Sequence, residues 1–285
     1  MGAPLPPAAV AGLLFNAMTW GLSWWPMRQL EAAGLHPLWA TAIIFLIASA
    51  VISLRAPGAW AELLRSPPLW LILLAAGTTN ASFNWGVTVG DVVRVILLFY
   101  VMPLWAVLLA RLVLHEPITR AAVLRVVLGL AGALTVLWPT EPGHALAVRP
   151  VDLLGLLGGF SFAVNNIMLR REAHRGGSGR GLAMFVGGCV VSTTLALLLP
   201  VPVPPPPGPW IAGAVAMGLA FLASNLALQY GVSRLPANAT AVIMLTEVLW
   251  ASGSALALGA GVLTPQLVLG GALILGAAAL AALRP

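Results

Sequence analysis

Amide side chains recur at helical spacing in a chain that carries very few charges. Asn16, Trp20, Ser23 and Met27 are spaced i, i+4, i+7 and i+11, which places them on one helix face. Asn80 and Asn84 stand one turn apart, Asn225 and Gln229 do the same, and Asn165 with Asn166 lies deep in another apolar run. An amide in hydrocarbon must find a partner or line a wet cavity, because an unsatisfied polar group there costs several kcal/mol. Two readings stand for these amides. They hold the polar part of a solute, or they tie helices together through interhelical hydrogen bonds worth roughly 0.6 kcal/mol each.

Glu247 is the acid nearest the middle of an apolar run, and an intramembrane carboxylate points by default to a functional site. It is suited to binding a substrate amine, to coupling with protons, or to locking a helix carbonyl. Thr240, Glu247, Trp250 and Ser254 share a stripe, so Glu247 is expected to face the same volume as Trp250. Trp20, Trp105 and Trp250 fall at mid-depth with Tyr100 close by, whereas Trp39, Trp60, Trp70, Trp138 and Trp210 sit at span ends, as an aromatic belt does. A pocket walled by the first group would suit a small amphipathic molecule with an aromatic or large apolar side chain, and packing is the competing account.

Other chemistries find no support. His36, His115, His144 and His174 fall in loops or at span ends, so no nucleophile–base pair is suggested. Cys189 has no partner for a disulfide, and the sequence holds no phosphate-binding glycine loop or His/Cys metal cluster. The expectation is a protein that is not an enzyme, with no cofactor and no metal.

The elements that must position these residues are membrane helices. The 285 residues are 60% hydrophobic and 8% charged, against roughly 25% charged in a soluble domain. Apolar spans long enough to cross a bilayer run near 8–30, 37–54, 68–89, 92–114, 119–138, 151–171, 181–200, 209–232, 236–258 and 264–283. The first is read as a retained helix, since no Lys or Arg precedes it and it is longer than a signal h-region.

The ten spans fall into two copies. Residues 80–87, N-A-S-F-N-W-G-V, match residues 225–232, N-L-A-L-Q-Y-G-V, at an offset of 145 that also carries Trp105 onto Trp250 and Thr119 onto Thr264. A register of 143 matches Gly12-Leu13-Leu14 to Gly155-Leu156-Leu157. Residues 1–140 therefore form repeat one, residues 151–285 repeat two, and 141–150 an extracytoplasmic connector. An odd number of spans per copy makes the repeats inverted, the usual build of a secondary transporter with a midplane site.

All 14 basic residues are Arg, and 11 lie toward one face while Arg28, Arg94 and Arg149 lie toward the other. The positive-inside rule puts both termini in the cytoplasm. Topology explains the net charge of +6 without nucleic acid.

Trp20-Gly21 in the first span, the duplication, and Leu114-His115-Glu116-Pro117-Ile118-Thr119 closing the fourth resemble the EamA-type transporters of the drug/metabolite transporter superfamily. The likeness extends to that superfamily's exporters of aromatic and other neutral amino acids. It implies an all-α polytopic protein of the bacterial inner membrane that exports small neutral solutes by alternating access. The second copy keeps Thr264 of the closing motif and loses its Glu, and Glu247 is followed by Val248 where the family often has Pro.

The candidate substrate site is thus Asn16, Trp20, Asn80, Asn84, Tyr100, Trp105, Asn165, Asn225, Gln229, Glu247 and Trp250, with Pro26 and Pro103 as hinges. Its partners would be a neutral amino acid or similar solute, membrane lipid and, if Glu247 couples, protons. A facilitator or exchanger without ion coupling, and a non-transporting scaffold or lipid-handling protein, are the alternatives. Val201 to Pro209 reads as a stiff polyproline spacer, and Thr264-Pro265 as the cap and first residue of the last helix.

Overall fold

The computed structural model describes residues 6–113, 115, 120–138, 148–172, 174–232, 234, 243–244 and 246–283. Most of the 114–119 motif, most of the 141–150 connector, Thr240 and the side chains of Pro103 and Gln229 lie outside what is described. Thirteen helices are present among the described residues: α1 (Pro7–Leu22), α2 (Trp24–Ala32), α3 (Pro37–Arg55), α4 (Gly58–Arg65), α5 (Pro67–Val89), α6 (Val92–Phe99), α7 (Met102–Val113), α8 (Arg120–Leu137), α9 (Pro150–Arg171), α10 (Gly177–Leu198), α11 (Trp210–Val232), α12 (Thr246–Ala257) and α13 (Pro265–Leu283). No strand is found among these residues.

Proline sets many of the boundaries. Pro7, Pro37, Pro67, Pro150 and Pro265 each open a helix, where the missing N–H costs nothing and φ is already helical. Thr264 Oγ1 accepts from Leu267 N at 3.2 Å, capping α13. Inside the first span, Pro26 lacks the N–H that would reach Leu22, and its ring clashes with that carbonyl. The span is accordingly divided at Ser23 into α1 and α2. The fourth span is divided at Tyr100–Val101, one turn before Pro103, which has no N–H to bond the Phe99 carbonyl. Both breaks therefore lie one turn N-terminal to the prolines expected as hinges. A short helix unforeseen in the sequence, α4, lies between the second and third spans.

Five helices are long and apolar enough to cross a bilayer among the described residues: Pro37–Arg55, Val92–Val113 taken through its break, Pro150–Arg171, Gly177–Leu198 and Trp210–Leu228. The 23-residue α5 is the more polar exception, because Thr78, Thr79, Asn80, Ser82 and Asn84 fall on it. It tolerates them by its place in the bundle: α5 packs on α9, α10 and α3, so most of its C-terminal half is buried in protein. Elsewhere α1 lies against α11 and α12, α3 against α10 and α11, α6 and α7 against α9, and α8 against α13.

Small residues let these helices approach closely. A Cβ added to Gly187 of α10 would collide with the Leu73 carbonyl of α5. On α8 and α13 the fit is reciprocal, since a Cβ on Gly132 would come 2.7 Å from Gly270 O and one on Gly270 2.7 Å from Gly132 O. Gly187→Ala is expected to cost about 1–3 kcal/mol by overpacking, measured as a lower unfolding midpoint of the purified protein in detergent.

The arginines of the sparsely charged face have structural partners. Arg28 donates from Nε to Thr88 O at 3.0 Å and from Nη2 to Gly90 O at 2.6 Å, placing a cation at the C-terminal end of α5. Arg94 holds Asp152 with two bonds, Nε to Oδ1 at 2.8 Å and Nη2 to Oδ2 at 2.9 Å. Asp152 also accepts from Arg149 N at 2.8 Å, and Arg94 Nη1 reaches Val136 O at 3.1 Å, so α6, α8 and the start of α9 are tied together.

Candidate functional site

The breaks in the first and fourth spans bring aromatic rings into one chain. Trp20, one turn before the Ser23 break, stacks on Phe221 of α11 with ring centroids 4.4 Å apart and planes at 12°. Its edge meets Phe83 of α5 at 6.3 Å. Phe83 meets Phe99 at 5.0 Å, and Phe99 meets both Tyr100 at 6.0 Å and Phe162 of α9 at 5.4 Å. Phe45 of α3 closes the far end against Phe221 at 6.0 Å. Each such pair adds about 0.5–1.5 kcal/mol beyond its buried area.

The chain ends on a carboxylate. Tyr100 lies at the break of the fourth span, and its hydroxyl donates to Glu247 Oε2 at 3.2 Å. Among the described residues this is the one hydrogen bond to the Glu247 carboxylate, and no arginine pairs with it. The backbone beside it is closely packed: a Cβ on Gly21 would lie 2.7 Å from Glu247 O and 2.8 Å from Trp250 Cβ, so Gly21 admits α12 against α1. Trp24 Nε1 donates to Ser254 Oγ at 2.9 Å, a second tie between the first span and α12.

Beside the Ser23 break a groove of about 300 Å³ opens between α1, α2, α11 and α12. Thr19, Leu22, Pro26, Phe221 and Ser254 are among its walls. Its hydroxyls are turned inward to their own helices, as in Ser23 Oγ to Trp20 O at 2.7 Å and Thr19 Oγ1 to Phe15 O at 2.7 Å. The groove is therefore apolar, and Phe221, which stacks on Trp20, is one of its walls.

The amides have different surroundings. Asn16 donates from Nδ2 to Ser224 O at 3.0 Å and to Ser224 Oγ at 2.6 Å, which ties α1 to α11. Asn80 donates to Ala76 O of its own helix at 2.7 Å. Asn84 donates to Thr41 Oγ1 of α3 at 3.1 Å while its Oδ1 is buried without a partner, and the Oδ1 of buried Asn165 on α9 is likewise unpaired. Asn225 is half-buried on α11. Trp105 and Trp250 stand apart from the ring chain, Trp105 meeting Phe160 edge-on at 5.3 Å and Trp250 being 41% exposed. Glu247 lies toward Tyr100, three residues before Trp250, which is 41% exposed.

Phe83, Phe99 and Phe221 are functional candidates the sequence reading missed. Phe83 stood inside the duplicated N-A-S-F-N-W window, a usable signal. Phe221 carried none, since one Phe in an apolar run has no mark that separates a site from packing.

Asn16→Leu is expected to reduce stability by about 0.6–1.7 kcal/mol through loss of the Ser224 bonds. Solute affinity should stay within twofold, which separates helix tying from solute binding when unfolding and binding are measured on the same preparation.

Comparison with known proteins bears on the N-terminal part of the chain. Residues 7–138 match the model of the EamA-like transporter family. The match covers less than half of the chain. A solved structure, described only as the crystal structure of a protein, superposes with a TM-score of 0.60 over 96% of this chain and 96% of its own at 20% identity, which is a likeness of fold alone. No curated protein gives a significant sequence match.

Proposed function

We propose that this EamA-like protein is a secondary transporter of ten membrane spans in two inverted five-span repeats. It exports small amphipathic solutes across the bacterial inner membrane by alternating access, with both termini in the cytoplasm. Aromatic and other large neutral amino acids are the first solutes to test.

The observation that carries this reading is the meeting of the copies at one point: Tyr100, from repeat one, donates to Glu247, from repeat two, at the end of the Trp20–Phe83–Phe99 chain. A shared site between inverted repeats is what alternating access requires. Two further facts support it. The family match, 7–138, covers the stretch assigned to repeat one. Exchange of the copies also conserves helix neighbours: α5 on α10 becomes α11 on α3, α5 on α9 becomes α11 on α1, and α6/α7 on α9 becomes α12 on α1.

In this mechanism Trp20, Phe83, Phe99 and Phe221 wall the apolar part of the solute and Glu247 with Tyr100 receives its polar end. The breaks at Ser23 and Tyr100–Val101 let the two outer half-helices, α2 and α6, move against α1 and α7. Both prolines belong to repeat one. Their counterparts under the two offsets are Leu169 and Val248, so the hinges are asymmetric.

The test is uptake of labelled neutral amino acids and aromatic amines into liposomes holding only the purified protein, with a sugar phosphate as control. Saturable flux of an aromatic solute is expected. No protein-dependent flux of any solute would favour a scaffold. Collapse of a proton gradient then separates coupled transport from an uncoupled facilitator: net flux falls if Glu247 couples and is unchanged if it does not.

A further inference from the structure

We infer that the groove beside the Ser23 break is a binding site for one acyl chain of a membrane phospholipid, entering sideways from the bilayer. It is a lipid site separate from the ring chain, and its occupancy does not require that a solute be carried.

Depth puts the groove in hydrocarbon. Its α11 walls, Met217 and Phe221, belong to the 19-residue apolar span Trp210–Leu228. At about 1.5 Å per residue they lie about 10 and 16 Å from its start, along a length of roughly 28 Å. The hydrocarbon core is roughly 30 Å thick, so an open cleft at that level meets acyl chains and not water. The lining is almost wholly carbon. Its hydroxyl protons are spent on their own helices: Thr19 donates to Phe15 O, Ser23 to Trp20 O and Ser254 to Ala251 O.

The groove also opens on the outer side of the bundle. Leu22, in its floor, shares a stripe of α1 with Leu14 and Phe15, both exposed. Trp20 is two residues away, about 200° round the helix, and points instead into the ring chain. The flanks of this outer face are set by two glycines half a turn apart: Gly12 admits α11 at Ala227, and Gly21 admits α12 at Glu247. Between these flanks the cleft is recessed. Met217 and Phe221 are buried, Leu22 and Ala220 are half-buried, and Trp25 and Leu258 stand exposed at the rim. A recess of about 300 Å³ suits a slender hydrocarbon chain better than a helix about 10 Å across. A chain seated there touches α1 at Leu22 and α2 at Trp25, so it bridges the break between the two half-helices.

The test is photolabelling of the purified protein in phosphatidylcholine vesicles containing a trace of phosphatidylcholine with a diazirine in one acyl chain. Labelled residues are located by peptide mass spectrometry. Labelling at Met217, Ala220 and Leu258 should exceed that at Leu219 and Leu226, exposed on the same stretch of chain, by about threefold, because a seated chain has neighbours on three sides rather than one. Ala220→Phe, which fills the groove, should abolish the excess and leave Leu226 labelling unchanged. Leu258→Trp, at the exposed rim where the fold is not at stake, should lower it by about half or more. Equal labelling of the groove and of Leu219 and Leu226, or an excess that both variants leave in place, would overturn the inference. Loss of the excess on adding tryptophan or tryptamine would assign the groove to solute, and loss at high protein-to-lipid ratio with crosslinked dimers would assign it to a second copy. Either result also overturns it.

Discussion

Asp152→Asn is expected to lower the unfolding free energy by about 3–5 kcal/mol. Asp152 is fully buried and takes two of its bonds from the Arg94 guanidinium, which is itself 12% exposed. Asn keeps the shape and one acceptor but removes the charge that pairs with Arg94 in the protein interior. The same side chain accepts Arg149 N and so starts α9, while Arg94 reaches across to Val136 O of α8. Loss of the charge therefore loosens three helices at one end of the bundle. The effect is checked by denaturant unfolding in detergent. Arg94→Leu with Asp152→Leu should recover most of the loss, because removing both charges also removes their desolvation cost. A single variant within 1 kcal/mol of the parent would mean that the pair is solvated and does not organise the outer end.

Trp20→Ala should reduce flux of an aromatic solute by about 10–100-fold. Trp20 is the ring that joins the two ends of the chain, stacked on Phe221 and edge-on to Phe83. A solute ring that takes up one or two such aromatic contacts with Trp20, of about 0.5–1.5 kcal/mol each, would lose about one to two decades in an equilibrium constant without it. Trp20→Phe retains a flat face and should keep flux within about tenfold of the parent. Equal losses in the two variants would show that the indole is needed for packing alone, a point settled by comparing their unfolding midpoints.

The sequence made some of this architecture readable and hid the rest for physical reasons. Composition identified the bilayer, and prolines at positions 7, 37, 67, 150 and 265 marked helix starts, because a ring without an N–H is tolerated best in a first turn. Pro26 and Pro103 predicted kinks, but the chain breaks one turn earlier, where the lost bond and the ring clash fall. The amides at Asn16, Asn80 and Asn84 are buried in the protein. Whether each served a solute or a helix was not readable, since both uses need the same residue at the same spacing. Ser224 and Thr41, the partners of Asn16 and Asn84, lie 208 and 43 residues away. Glu247 was legible as an acid in an apolar run. Its pairing with Tyr100, 147 residues earlier, was not, because register between distant helices is set by close contacts such as Gly21 on Glu247 O.

Two-sided access to a single site is the claim on which the account turns. The direct measurement places a cysteine at Asn80, one turn from Phe83, in a Cys189→Ala background, and labels it with a membrane-impermeant thiol reagent in oriented vesicles. The account predicts labelling from each side in turn, slowed in both cases by a bound aromatic solute. Labelling from one side only, at a rate no solute changes, would contradict it.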